Sequence, residues 1–180
     1  YNSTTLAVKS INVKKASSPL TIDGNLNESV WSLDQSADRI LSGTSNNTST
    51  FGVLYDDNYL YVAFKVLDSN LINDSTKPWS DDSVELYLDP NNSKSTTYDS
   101  YDRQFVKGYN DNTLAATQSG TGVLHGTTNI TGGYTVELAI PWSNLGVTSV
   151  TGSTLGFDVQ INDDDDGSGR DNFVSWNNGV

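Results

Sequence analysis

Four consecutive aspartates form the densest group of metal-ligating side chains in the sequence. They are Asp163, Asp164, Asp165 and Asp166. Adjacent carboxylates repel one another unless water or a cation neutralises them, and Ca²⁺ accepts about six to eight oxygen ligands in a flexible geometry. The spacing is not that of an EF-hand, because Phe173 occupies the position of its last glutamate. We therefore predict that the four aspartates bind structural Ca²⁺, with a solvated acidic turn as the alternative interpretation.

The other acidic residues are also mostly aspartates. Of 22 acidic side chains, nineteen are Asp and three are Glu. Helix surfaces usually carry Glu, whereas Asp is favoured in turns and in oxygen-ligated cation sites. Two further pairs, Asp81 with Asp82 and Asp99 with Asp102, are therefore secondary candidates for Ca²⁺ ligands.

Trp79 lies in a polar segment that should form a surface loop. A pyranose ring can stack on an exposed aromatic ring, while its hydroxyl groups need hydrogen-bond partners at the edge of that ring. Glu85 and Tyr87 follow on a predicted strand, on the face opposite its apolar residues. These side chains can form a sugar site; alternatively, Trp79 folds back onto the core. Trp31 and Trp142 are flanked by apolar residues and are assigned to packing.

Groups that could carry out catalysis are scarce. His125 is the single histidine, and the sequence has no Gly-x-Ser-x-Gly motif around a nucleophile. A glycosidase needs two carboxylates that face each other across a cleft, whereas most aspartates here lie in Asn-, Gly- and Ser-rich turns. Haem ligation by Met or paired His is disfavoured, because the chain has no Met and one His. The residues therefore favour a protein without catalytic activity.

Composition restricts the partners further. The formal net charge is −12, so nucleic acid and anionic membranes are unfavourable partners. There is no Cys, which excludes disulfides and thiolate metal sites. No run of apolar residues is long enough to span a bilayer as a helix.

The elements that must position these side chains are short strands. Alternating apolar residues predict a hairpin over 51–66, a strand over 83–89 and further strands over 102–108, 134–140 and 154–161. Helix is limited to short turns near 27–31 and 141–146. Strands joined by polar turns, without alternating helices, predict an all-β protein: a two-layer antiparallel β-sandwich of the jelly-roll or immunoglobulin-like kind. We expect one such domain over 18–180, preceded by a linker or edge strand over 1–17, with truncation of the domain at its C-terminus as an alternative to a complete domain.

Five segments, in order, resemble the family 9 carbohydrate-binding modules found beside xylanases and other secreted enzymes that degrade polysaccharides. They are segments 22–31, 54–62, 78–89, 132–142 and 156–163. The resemblance covers roughly 18–176. It implies a β-sandwich with bound Ca²⁺ and a slot between two tryptophans that holds the reducing end of a glucan or xylan chain.

The resemblance also implies roles for individual residues. Trp79 matches the first slot tryptophan, Glu85 a sugar-bonding glutamate, and Gln104 a glutamine on the same face. Trp176 completes the candidate carbohydrate-binding set, although it matches a strand tryptophan, which favours a place in the core. Val106 stands where characterised members have a sugar-bonding Arg. The family's second slot tryptophan would lie beyond 176 and cannot be assigned.

From these observations we predict a secreted or cell-surface, non-catalytic module that binds polysaccharide or oligosaccharide and contains structural Ca²⁺. It should be a monomer, covalently linked to a catalytic or surface domain. The alternative is a structural or interaction domain on the same sandwich without sugar binding. Fold transfers between relatives more safely than binding specificity does.

Overall fold

Two β-sheets packed face to face form the protein, and the computed structural model describes residues 7–148 and 150–177. Strands contain 41% of the residues and helices 4%, which confirms the predicted all-β sandwich with little helix. Among the described residues, no helix is long and apolar enough to cross a membrane. The strands are β1 (Lys14–Lys15), β2 (Gln35–Ser36), β3 (Arg39–Ser42), β4 (Thr48–Tyr55), β5 (Tyr59–Leu67), β6 (Ser83–Asp89), β7 (Arg103–Gly108), β8 (Ala115–Thr117), β9 (Leu124–Ile130), β10 (Gly133–Pro141), β11 (Gly156–Asp163) and β12 (Asn172–Ser175).

The first sheet has the order β1-β4-β5-β10-β9, with β2 also paired to β4, and the second has the order β3-β12-β11-β6-β7-β8. The pairings are antiparallel except for the short β1–β4 contact, which is parallel. Within residues 7–17, the described part of the predicted N-terminal linker or edge strand, β1 is a two-residue edge strand. Strand β6 lies near the middle of the second sheet and carries residues of both the core and the outer face.

Side chains that alternate along the central strands form the core between the sheets. On β6, Val84, Leu86 and Leu88 point inward and are buried, so Glu85 and Tyr87 point to the outer face. Alternation along the predicted strands assigns ten apolar residues to the core; in the structure nine of them are buried and the tenth is half-buried. The nine are Leu60, Val62, Phe64, Val84, Leu86, Leu88, Val136, Leu138 and Val159; the half-buried one is Phe157.

Trp176 is part of this core, which corrects its assignment to a carbohydrate site. Its side chain is only 3% exposed. The indole meets the rings of Phe51 and Phe157 edge-on, with centroid distances of 5.8 and 5.9 Å. These contacts direct Trp176 between the sheets, so it cannot stack on a ligand at the surface.

Two short helical segments complete the fold. The α-helix α1 (Trp142–Leu145) lies in the predicted segment 141–146 and ends at Gly146, whose positive φ of 67° suits a residue without a side chain. The predicted turn near 27–31 forms a single hydrogen-bonded turn and no helix. A 3-10 helix (Pro78–Ser80) precedes β6 and packs against β6, β7 and β11. That helix places Trp79 over the outer face of the second sheet.

Candidate functional site

A groove of about 420 Å³ lies on the outer face of the second sheet. Its floor is built from residues of adjacent strands that the sheet register brings side by side. Glu85 on β6 pairs with Gln160 on β11 and with Val106 on β7, and Tyr87 pairs with Gln104. The residues that line the groove are Trp79, Glu85, Tyr87, Gln104, Val106, Ala115, Ala116, Thr117, Gln160, Arg170 and Phe173.

Glu85 is the centre of the floor and is almost completely buried, with 2% of its surface exposed. One carboxylate oxygen accepts hydrogen bonds from the Tyr87 hydroxyl at 2.6 Å and from Gln104 Nε2 at 2.7 Å. The other accepts from Asn162 Nδ2 at 2.7 Å and from Gln160 Nε2 at 3.3 Å. A carboxylate offers about four acceptor positions, so these four donors occupy all of them.

This saturation changes the way in which Glu85 can contact a ligand. A hydroxyl group can bond to Glu85 only if one of the four donors gives up its place. Gln104, Tyr87 and Gln160 all line the groove, but Gln104 and Tyr87 are only half-buried, whereas Gln160 and Asn162 are buried. Gln104 and Tyr87 are therefore the donors that a ligand can displace, or can bond to directly.

Trp79 is 43% exposed and lines the groove from the 3-10 helix. It is not folded into the core as a lid. Three of the four sequence-derived candidates, Trp79, Glu85 and Gln104, are thus brought together on one surface. Trp31 and Trp142 instead donate their indole N–H groups to Glu137 and to the Asp56 carbonyl oxygen, away from this groove.

Arg170 and Phe173 were not identified from the sequence, yet both line the groove. The Arg170 guanidinium carbon lies 4.2 Å from the centre of the Phe173 ring. Its Nη1 atom donates to Asn162 Oδ1 at 2.9 Å and lies 3.9 Å from Glu85 Oε1. Arg170 therefore provides a cation on a face where Val106 replaces the Arg expected from the resemblance. The sequence did contain a signal for Arg170. A Gly-Ser-Gly-Arg segment that follows an acidic run is typical of a turn, and Arg170 is its one basic side chain.

A second feature is a buried cluster of three carboxylates at one end of the sandwich. Asp68 directly follows β5, Asp82 directly precedes β6, and Asp163 ends β11. The cluster thus joins the two sheets. One carboxylate oxygen from each aspartate lies within 4.8 Å of the others, and none of the three side chains is more than 5% exposed.

Each of these aspartates has a buried oxygen without a hydrogen-bond partner: Oδ2 of Asp68, Oδ1 of Asp82 and Oδ1 of Asp163. Within residues 7–148 and 150–177, no lysine or arginine forms a salt bridge with them. Two unit charges about 4 Å apart repel by ~4 kcal/mol at an effective dielectric constant of about 20. Three unpaired oxygens so close together suit a divalent cation with oxygen ligands.

The raised pKa values of two of these aspartates also favour a site for a cation. Burial, with neighbouring aspartates adding to it, raises the pKa of Asp82 to about 8. Burial and the contact with Asp68 raise the pKa of Asp163 to about 7. Without a cation, the folded protein therefore retains protons on these carboxylates near neutral pH.

The four consecutive aspartates, predicted as Ca²⁺ ligands, do not converge on one point. Asp163 belongs to the buried cluster just described. Asp164 turns to a separate group with Asp74 and Asp81, and to another with Asp166 and Asp171. The Asp165 carboxylate accepts hydrogen bonds from the side-chain amides of Asn46 and Asn70, and belongs to none of these groups. Successive side chains at the end of a strand point in opposite directions, so adjacent ligands separate.

A family model described as "Carbohydrate family 9 binding domain-like" matches residues 22–179. Exoglucanase XynX of Acetivibrio thermocellus is 38% identical over 135 residues, and endo-1,4-beta-xylanase A of Thermoanaerobacterium saccharolyticum is 35% identical over 158 residues. These alignments cover 74% and 86% of this chain, but only 12% and 13% of the length of those relatives.

Solved structures give the same relationship. A carbohydrate binding module of family 9 from Caldicellulosiruptor kristjanssonii in complex with cellotriose has a TM-score of 0.80 at 30% identity, over 91% of this chain and 82% of that chain. The structure of such a module from the same organism in complex with glucose has a TM-score of 0.81 at 28% identity, over 91% and 84%.

The pKa shifts of the acidic cluster predict how stability depends on pH in excess chelator. Asp82 titrates near 3.8 in an unfolded chain and about 8 in the folded protein, so the folded state holds more protons between these values. The free energy of unfolding should therefore fall, by a few kcal/mol, as pH rises from about 4 to about 8. Urea unfolding at a series of pH values measures this slope.

Two variants test where the slope originates. Asp82→Asn should make the fall smaller. Asp57→Asn should leave it unchanged, because the side chain of Asp57 is 81% exposed on a hairpin turn. A free energy of unfolding that rises with pH across this window in chelator would contradict the account of the cluster.

Proposed function

The chain belongs to the carbohydrate-binding modules of family 9, and from that membership we propose that it attaches a larger exported protein to the ends of glucan or xylan chains. The family is one of non-catalytic modules that occur attached to xylanases. This chain spans about an eighth of the length of the first relatives it matches. The covalent partner is therefore proposed to be a polysaccharide-degrading domain, and the location to be outside the cell or on its surface.

One observation carries the proposal: an exposed tryptophan stands beside a saturated carboxylate–amide network in a single groove. Trp79 offers the flat face on which the C–H groups of a pyranose can stack. Gln104 and Arg170 offer N–H donors at the edge of that face and the Tyr87 hydroxyl oxygen offers an acceptor, and Glu85 holds Gln104 and Tyr87 in fixed orientations through bonds of 2.6–2.7 Å. Preorganised partners lower the entropic cost of binding.

The proposed sugar contact consists of an exchange of hydrogen bonds at this network. A sugar hydroxyl donates to Glu85 in place of Gln104 or Tyr87, and the displaced group turns to bond another hydroxyl. The number of hydrogen bonds is then conserved, so selectivity comes from the position of the hydroxyls and from stacking. With one tryptophan in the groove among the described residues, we expect dissociation constants on the order of millimolar to tens of micromolar.

We also propose that the buried aspartate cluster holds a structural Ca²⁺. Asp68, Asp82 and Asp163 would each supply one of the unpartnered oxygens. Carboxylate oxygen is the preferred ligand type of this cation. Without a cation, the carboxyl groups of Asp82 and Asp163 retain protons near neutral pH; a bound cation would instead neutralise their negative charges. It would also join the ends of β5, β6 and β11. We assign it to this cluster rather than to the group around Asp164, because Asp74 in that group is exposed.

Replacement of Trp79 tests the sugar site. Trp79→Ala should weaken binding of cellobiose, cellotriose and xylo-oligosaccharides by on the order of 2 kcal/mol, roughly thirtyfold, because a central aromatic contact is lost. Its melting temperature should stay near that of the wild type, since the side chain is 43% exposed. Calorimetric titration in the presence of Ca²⁺ measures the binding.

Trp176→Ala is the matched tryptophan control. It removes a core indole and should destabilise the fold by about 3–5 kcal/mol, while the folded fraction keeps its sugar affinity. If the wild-type protein releases no heat with any of these sugars, a structural domain without sugar binding becomes the better account.

Removal of Ca²⁺ tests the metal site. Chelation should lower the melting temperature by several degrees and added Ca²⁺ should restore it, since a ligand at ~100 times its dissociation constant stabilises by roughly 2.7 kcal/mol. Asp163→Asn should lose this response, whereas Asp165→Asn should keep it, because the Asp165 carboxylate points to Asn46 and Asn70. An identical melting curve with and without chelator, together with no bound Ca²⁺ in metal analysis, would overturn the proposal.

A further inference from the structure

A second groove of about 430 Å³ adjoins the first on the outer face of the second sheet. Tyr87 lines both grooves, so the two meet at this residue of β6. The far wall of the second groove comes from the segment between β6 and β7, which contains Tyr98. Tyr98 is 50% exposed.

We propose that this second groove is an additional sugar subsite, in which Tyr98 stacks on a ring farther along the same oligosaccharide. The proposal rests on the sugar-binding function proposed above and extends it to ligand length. Trp79 stands just before β6 and Tyr98 stands beyond its end, with Tyr87 between them. An extended strand rises by roughly 13 Å over four residues, so the path from Glu85 to the end of β6 exceeds the length of one sugar ring.

Hydrogen bonds fix the segment that carries Tyr98. Asp89 accepts backbone N–H groups from Ser93 and Lys94, which closes its first turn. Asp102 accepts the backbone N–H of Asp99 at 2.7 Å, and Arg103 Nη1 donates to three successive carbonyl oxygens of residues 100–102. These bonds lie on both sides of Tyr98, so the backbone that carries its ring is fixed beside the groove before a ligand arrives.

The charges around this groove favour a neutral polyhydroxylated ligand. Three carboxylates, those of Asp89, Asp102 and Asp158, line it, and within the described part of the chain no basic residue does. Carboxylates accept hydrogen bonds from hydroxyl groups and repel anionic ligands. Partial burial and the negative charges of Asp102 and Glu85 raise the pKa of Tyr98, so its hydroxyl stays protonated and can donate to a sugar oxygen.

Tyr101 provides a matched control in the same segment. It is 49% exposed, almost the same as Tyr98, but it lines neither groove. Glucose, cellotriose and cellopentaose are titrated into the Ca²⁺-loaded wild type, Tyr98→Ala and Tyr101→Ala. In the wild type, affinity should increase with chain length. Tyr98→Ala should lower affinity for cellopentaose by about two- to tenfold and leave glucose unchanged, while Tyr101→Ala changes neither.

The other outcomes distinguish a failure of the second subsite from a failure of the proposed function. Equal affinity of the wild type for short and long oligosaccharides overturns the second subsite but leaves the proposed function intact. The same holds if Tyr98→Ala weakens glucose and cellopentaose equally, or if Tyr101→Ala matches it. Absence of binding of any sugar to the wild type overturns both proposals.

Proton NMR of the wild-type protein tests the subsite even if a variant fails to fold. Ring proton resonances of Tyr98 in the wild-type protein should shift on addition of cellopentaose but not of glucose. Those of Tyr101 should not shift with either. Unshifted Tyr98 signals at saturating cellopentaose overturn the subsite.

Discussion

A buried carboxylate must be matched by hydrogen-bond donors or by a cation, and this constraint organises the whole sandwich. In the first sheet, Glu137 receives the indole N–H of Trp31 and the backbone N–H of Gly24 at 2.9–3.0 Å. In the second sheet, Glu85 receives four side-chain donors. At the end where the two sheets meet, the cluster around Asp163 has unpartnered oxygens instead. The first two carboxylates have their donors within the protein, whereas the third site keeps three oxygens without a hydrogen-bond partner among the described residues.

The cluster and the groove are linked through neighbouring residues. Asp82 directly precedes Ser83, and Asp163 directly follows Asn162, whose side-chain amide donates to both Ser83 Oγ and Glu85. A cation that fixes the two aspartates would therefore also fix the residues beneath the groove. Arg170 also contacts this set of residues from the groove, because it donates a hydrogen bond to Asn162 and stacks on Phe173. The groove that we propose to bind sugar is thus connected through these residues to the proposed metal site.

Alternation along β6 was sufficient to predict which of its residues face the core and which face outward, because a strand has a fixed period of two. Short polar strands such as β9 (Leu124–Ile130) escaped prediction, since their pairing depends on β10 and not on their own sequence. Asp68 could not be connected with Asp163 from the sequence, because their proximity arises only when β5 and β11 end at the same edge of the sandwich. The saturation of Glu85 likewise depends on partners from three strands. The alternation of apolar and polar residues along one strand predicts which side chains face the core. The two sites depend instead on the register between strands that are distant in the sequence.

The central claim is that a sugar ring occupies the groove between Trp79 and the Glu85 network. A crystal structure of the Ca²⁺-loaded protein with cellotriose tests it most directly. We expect one ring to lie parallel to the indole of Trp79, with a hydroxyl bonded to Glu85 and either Gln104 or Tyr87 moved from its present bond to that carboxylate. Cellotriose bound at another surface, with the four donors still on Glu85 and the face of Trp79 uncovered, would contradict the account.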